Sequence, residues 1–339
     1  QDSHKRSYPM TRRELMIVTI LAVIGALLLT RGLFTRPTFT DSYYHFNAAV
    51  RLAAGEGLTD AYIWTYVGQP QPDSSPVLET PSHLYWMPFT SIAAGAGMWL
   101  FNAPGDFHAA QLPLTLMFAG TVVVGYWLGF KLGGGRRTAL VAALLTLFSG
   151  FFVNFWGEID TFAAYAFAGS LSLALLGLGL ERGDWRWFFP AGILAGIGHL
   201  TRSDGLLLIL VGWLTIIWWM IRGSGRARQA SSLRTGDVSQ EAITFANEHE
   251  PGSHTEDSEH SQTVKSSSPV GEGFGVRAII LLTAGYLLVM MPWFLRMNAI
   301  VGAPLPLGGL QAAWLTEYND LFRFPPDASA GEFFADGLG

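Results

Sequence analysis

The chain has no cysteine, which excludes disulfides and thiolate metal sites and leaves the redox compartment open. Charge is also scarce. Only 14% of the residues are Asp, Glu, Lys or Arg, against about 25% in a typical soluble domain. The deficit falls in long uncharged runs, so a bilayer is the expected solvent. A net charge of -5 offers no broad basic surface, and no nucleic-acid partner is expected. The chain opens on Gln1 rather than Met and stops soon after Pro325 and Pro326 in a Gly/Asp-rich stretch, so a fragment of a longer protein is expected.

A bilayer-crossing helix needs about 20 mostly apolar residues. The runs that qualify are 15–34, 84–103, 111–131, 138–156, 161–180, 187–200, 205–221 and 278–295. Basic residues mark the cytoplasmic side. If 84–103 lies on the surface, four Lys/Arg before the first span, three in 131–137, two in 181–186 and six in 222–277 share the cytoplasmic side, leaving six of the 21 outside. A spanning 84–103 would flip every later loop and lose that bias. Pro88, Gly95 and Gly97, with aromatic residues at both ends of the run, also suit an interfacial helix. The expectation is an all-α polytopic membrane protein with about seven transmembrane helices and amphipathic surface helices in a first external loop, 35–110.

Three zones follow. Residues 1–222 hold spans one to six. Residues 223–276 are polar, serine-rich and aperiodic. They cannot bury enough apolar area to offset their ordering entropy and read as a disordered cytoplasmic loop. Their His249, His254 and His260 lack zinc-type spacing and read as solvated. Residues 277–339 hold the seventh span and the start of an external segment, expected to be cut short.

This topology gathers Asp41, Glu79, Glu158, Asp160, Arg202, Asp204 and Arg296 on one face. Each has a plain explanation alone, because charges at helix ends often mark the water boundary. Asp41 opens an amphipathic stretch, 42–54, and caps it or faces a cleft, or does both. Glu158 and Asp160 form an E-x-D pair whose oxygens suit a divalent cation, with Asp41 as a third ligand. Arg202 in GHLTRSDG either pairs with Asp204 in the turn or clamps a phosphate with its guanidinium fork. Arg296 is a second phosphate contact or a snorkelling base. Trp86 reads as an interface anchor, and Tyr43 and Tyr44 as anchors or sugar-stacking rings.

In order along the chain, DSYYHFNAAVRLAAGEGLTD, LETPSHLYWMP, GEIDTFAAYA, AGILAGIGHLTRSDGLLLIL and PWFLRMNAIVGAPLPLGG resemble the GT-C superfamily of polytopic glycosyltransferases. The nearest group is the protein-O-mannosyltransferases and aminoarabinose transferases, and the resemblance covers nearly all of the chain outside 223–276. It implies transfer of a sugar from a polyprenyl-phosphate donor to an acceptor (a protein, lipid or glycan) at the external face. It implies Asp41 as general base, Asp160 and Glu79 as further catalytic carboxylates, and Arg202 and Arg296 at the carrier phosphate. Tyr44, His45 and Glu158 are implied substrate contacts, and magnesium or manganese on Asp41, Glu158 and Asp160 is an option. Two positions depart from the closest relatives: Ser42 stands where a second acid often follows the Asp, and Thr80 where a base follows the pre-proline Glu. The YYH and E-x-D elements are also similar to metal-dependent oligosaccharyltransferases, whose WWDYG signature this sequence lacks. A transporter or flippase for lipid-linked substrates is the rival from another class. It would need mid-membrane charges and inverted repeats, whereas these charges cluster at one face.

Overall fold

The computed structural model describes residues 10–61, 80–222, 273–305, 314–315 and 329–335. Helix α1, Arg12–Leu33, is started by Thr11, whose hydroxyl accepts the Glu14 amide at 3.1 Å, and Phe34 turns extended ahead of Pro37. The amphipathic α2, Thr40–Ala53, follows, and Gly55 in the left-handed region (φ 84°) reverses the chain after it. Two short strands pair antiparallel, β1 (Thr59–Asp60) with β2 (Thr80–Pro81). Then come α3 (Phe89–Leu100), α4 (Phe107–Gly133), α5 (Arg136–Leu147), α6 (Val153–Trp156) and α7 (Thr161–Arg182). The chain continues through α8 (Phe188–Thr201), α9 (Ser203–Arg222), α10 (Phe274–Val301) and the short α11 (Ala330–Ala335). α4 and α7 end in the αL turn that glycine permits, at Gly134 and Gly183.

The fold is helical and built for a membrane. Among the described residues, α1, α4, α7, α9 and α10 are each long and apolar enough to cross a bilayer. The 12 residues of α3 reach only about 18 Å at 1.5 Å each, well short of a hydrocarbon core of about 30 Å. That length agrees with the surface position expected for 84–103. Two expected spans depart from single helices of bilayer-crossing length. The run 138–156 is broken after Leu147, where Gly150 (φ 62°) opens a 3₁₀ turn before α6. The run 187–200 is the 14-residue α8, about 21 Å long. Helix α10 begins at Phe274, inside the segment expected to be loop; the rest of that segment, 223–272, lies outside the described residues.

The helix ends sort into two sets. At one end, the Arg136 Nε and NH2 groups donate to the two Glu14 oxygens at 3.0 Å, Tyr126 donates to Glu14 at 2.7 Å, and Lys131 pairs with Glu181. These contacts join the start of α1, the end of α4, the start of α5 and the end of α7. The opposite end carries the α1–α2 connection, the α6–α7 turn and the α8–α9 turn. Between the ends, packing rests on close backbone approach, the usual device where lipid removes the hydrophobic drive between helices. A Cβ on Gly192 would lie 2.0 Å from the Leu282 carbonyl oxygen, and one on Gly285 2.2 Å from that of Phe189. Helices α8 and α10 therefore touch almost backbone to backbone.

Candidate active site

The α6–α7 turn, GEIDT, is the base of the site. Gln111, buried on α4, donates to the Gly157 carbonyl at 2.7 Å and to that of Thr30 at 3.3 Å, tying the turn to the end of α1. Ile159 is fully buried, and Trp156 stacks on Phe118 with ring centroids 5.1 Å apart. The acids on either side of Ile159 then take separate tasks. Asp160 caps α7, accepting the Thr161 amide at 2.5 Å. Glu158 reaches α2, accepting the Thr38 hydroxyl at 2.5 Å on Oε1 and the Ser42 hydroxyl at 2.6 Å on Oε2.

Asp41 lies in the first turn of α2, between those two hydroxyl residues in sequence. The Trp86 side chain donates to its carboxylate, and the Trp86 ring packs on Tyr44 at 4.3 Å between centroids. Arg202 comes from the α8–α9 turn in extended backbone (φ −145°, ψ 140°). Its Nε and NH2 donate to the two Asp204 oxygens at 3.1 and 3.3 Å, and its NH1 to the Thr161 hydroxyl at 3.4 Å. The guanidinium carbon lies 5.8 Å from the Phe162 ring centre and 5.6 Å from that of Tyr165, within cation–π range.

The electrostatics tie the three charged groups together. Burial pushes the Asp160 carboxyl up to about 6; the Thr161 amide opposes the rise, the Asp41 charge adds to it, and Arg202 opposes it. Burial also raises Asp41, against the Trp86 hydrogen bond and the Arg202 charge. Burial alone would weaken the Arg202 charge, but Asp204, Asp160 and Tyr165 outweigh it, so its pKa lies above the ordinary value. Asp41, Asp160 and Arg202 therefore share one field, though 119 and 42 residues separate them in sequence.

Other candidates sit elsewhere. Tyr44 and His45 face the protein interior and are 2% and 0% exposed, which corrects their reading as substrate contacts. They lie at i+3 and i+4 from Asp41, one turn further along the same side of α2, and pack toward α3 and the hairpin. Tyr44 donates to Asp60 at 3.3 Å and accepts the His83 amide at 2.5 Å; His45 and His83 share the Ser91 hydroxyl at 3.0 and 2.9 Å. Burial lowers His45 to about 3, so it is neutral there. Arg296 donates through NH2 to the Leu58 and Ser82 carbonyls at 3.0 and 3.1 Å and lies over the Trp293 ring. Its described contacts tether the hairpin rather than face an anion. Glu79 lies outside the described residues.

The proposed cation ligands do not fit a metal among the described residues, where no three His, Cys, Asp or Glu side chains converge to hold one. Glu158 is 1% exposed with a hydroxyl on each oxygen, which corrects its reading as an open ligand or substrate contact. The sequence reading gave no role to Phe162 or to the Thr38 and Ser42 hydroxyls. It took Trp86 for an anchor alone. The one visible signal was the aromatic pair at i and i+3 after Asp160, Phe162 and Tyr165, which places both rings on one face of α7.

Gly205 sets the turn that carries Arg202. A Cβ there would lie 2.4 Å from the Gly198 carbonyl and the His199 nitrogen. Gly205→Ala is expected to push α9 away from α8 and cost about 1–3 kcal/mol of stability by overpacking. Thermal unfolding in detergent micelles checks this, and an unchanged midpoint would show that the turn yields freely.

Residues 87–232 match the model of the family described as dolichyl-phosphate-mannose-protein mannosyltransferase. That segment contains Asp160 and Arg202 and stops short of Asp41. The chain is also similar to the crystal structure of the Archaeoglobus fulgidus oligosaccharyltransferase in its apo form, with a TM-score of 0.49 and 15% identity over 97% of this chain. It spans 39% of that protein's length. The family match runs from just before α3 past the end of α9, in a chain whose described residues hold five helices long and apolar enough to cross a membrane.

Proposed function

We propose that the protein transfers a hexose from a polyprenyl-phosphate carrier to a hydroxyl or amine acceptor, at the membrane face opposite its basic loops. One observation carries this reading: Asp41, Asp160 and Arg202, from three distant segments, meet in one field at one end of the bundle. Asp41 takes the acceptor proton. The acceptor atom bonds to the anomeric carbon, and the bond from that carbon to the phosphate oxygen breaks. The electron pair leaves with the carrier phosphate, where Arg202 meets the growing charge in a half-buried setting that strengthens such contacts. Asp160, fixed as a helix cap, is placed to accept a hydroxyl of sugar or acceptor. The rings of Phe162 and Tyr165 keep the guanidinium in position. The external assignment rests on the basic residues grouped at the opposite end.

The test uses the full-length protein in proteoliposomes with radiolabelled mannosyl-phosphoryl-dolichol and a membrane extract as acceptor source. Label should leave the carrier for an acceptor, and the free phosphate lipid should accumulate. Label that changes leaflet while still joined to its carrier would instead mark a transporter and overturn the reading.

A further inference from the structure

We infer that Glu158 is a positioning residue that fixes Asp41 opposite Asp160 by holding the two hydroxyls that flank it, Thr38 and Ser42. The inference rests on the reading of Asp41 as the base. Helix α2 has no side-chain cap of its own, because Phe39 occupies that position. The dipole of a helix favours a carboxylate near its start; α2 has Asp41 in its first turn, and Glu158 adds a second from a segment more than 100 residues away. Glu158 grips Thr38 before the helix and Ser42 inside it, at 2.5 and 2.6 Å.

The anchor itself does not drift. Glu158 is 1% exposed, Ile159 beside it is fully buried, and Gln111 holds the preceding carbonyl of Gly157 at 2.7 Å. Two residues on, Asp160 is fixed as the cap of α7. A single rigid turn therefore carries one carboxylate of the site and, through Glu158, sets the other. This gives the E-x-D spacing a geometric meaning: one acid grips Thr38 and Ser42, the other caps α7, and both are buried beside Ile159.

The test compares Glu158→Gln, the pair Thr38→Val/Ser42→Ala and all three changes together, in the full-length protein in nanodiscs with mannosyl-phosphoryl-dolichol as donor. Misplacing a reacting group by about 1 Å can cost about 100-fold. Both the Gln variant and the hydroxyl pair are expected to lose about 10- to 100-fold in kcat, with donor KM within about twofold. The combined variant should lose no more, since all three changes break the same two bonds. Glu158→Asp should recover part of the rate, because it keeps the charge and shortens the reach.

Hydrogen exchange of the 38–42 amides gives a readout independent of catalysis, and it should rise in both the Gln variant and the hydroxyl pair. Full kcat in the hydroxyl pair beside an inactive Gln variant would overturn the inference and assign Glu158 a direct role through its charge. Unchanged exchange in the Gln variant would overturn it as well. Raised exchange in a protein that transfers no sugar would leave the clamp standing and remove the enzyme reading instead.

Discussion

Asp41→Asn is expected to give a folded, membrane-inserted protein that binds its donor and turns over about 10² to 10⁴ times more slowly. That is the usual contribution of a positioned general base. The carboxamide oxygen can still accept from Trp86, so the site should keep its shape. The pH dependence makes the prediction specific. Burial raises both Asp41 and Asp160, Asp160 to about 6, whereas an ordinary Asp titrates near about 3.9. A base works only when ionised, so kcat/KM of the wild type should fall on the acid side at a pH above the ordinary carboxylate value.

Asp160→Asn removes a carboxyl that the Asp41 charge helps to raise, so the acid limb of the pair should move to lower pH. The two acids titrate as a pair, so the limb belongs to both. Steady-state kinetics from about pH 4 to pH 9 would decide the matter. Wild-type turnover in Asp41→Asn, or a limb that moves upward in Asp160→Asn, would remove Asp41 from the role of base.

Why these residues were legible and others were not follows from the kind of information each carries. Asp41, Asp160 and Arg202 stand out in the sequence because each interrupts or borders an apolar run, and membrane topology then sorts them to one end without any tertiary detail. Tyr44 and His45 lie one turn beyond Asp41 on the same side of α2, yet they are buried where Asp41 is only partly so, so helical period alone does not decide which side chains the core covers. That choice depends on where α3 lies. The Glu158 bonds to Thr38 and Ser42 link positions 120 and 116 residues apart, and no local pattern marks such a pair. The E-x-D spacing was visible, yet it suggested two ligands for one cation. The structure instead buries both acids on different partners, Glu158 on the Thr38 and Ser42 hydroxyls and Asp160 at the start of α7.

The helix breaks show the same limit. Composition makes 138–156 and 205–221 equally apolar candidates. Only the positive φ of Gly150 divides the first into α5 and α6. At the α8–α9 turn, the Gly205 backbone crowds Gly198 and His199, which is how Arg202 comes to point at Thr161. Arg202 is thus aimed by a glycine three positions away, and the sequence shows the glycine without showing what it touches.

Arg202→Gln is expected to have the second large effect, a loss of about 10²- to 10³-fold in kcat, the scale of removing one positioned donor to a developing charge. In the proposed reaction the carrier phosphate would depart with the electron pair, and Arg202 is a cation that shares a field with both carboxylates. Two further consequences separate this from a generic defect. Arg202 lowers the pKa of Asp41 and of Asp160, so its loss should move the acid limb to higher pH, opposite in sign to Asp160→Asn. Arg202→Lys should restore only part of the rate, since an ammonium keeps the charge without the planar fork that now bridges Asp204 and Thr161. Inhibition by dolichyl phosphate, the sugar-free carrier, reads the phosphate contact directly and should weaken in both variants. If Arg202→Gln keeps wild-type kcat and wild-type inhibition, the residue is a turn element paired with Asp204, and the phosphate must be met elsewhere.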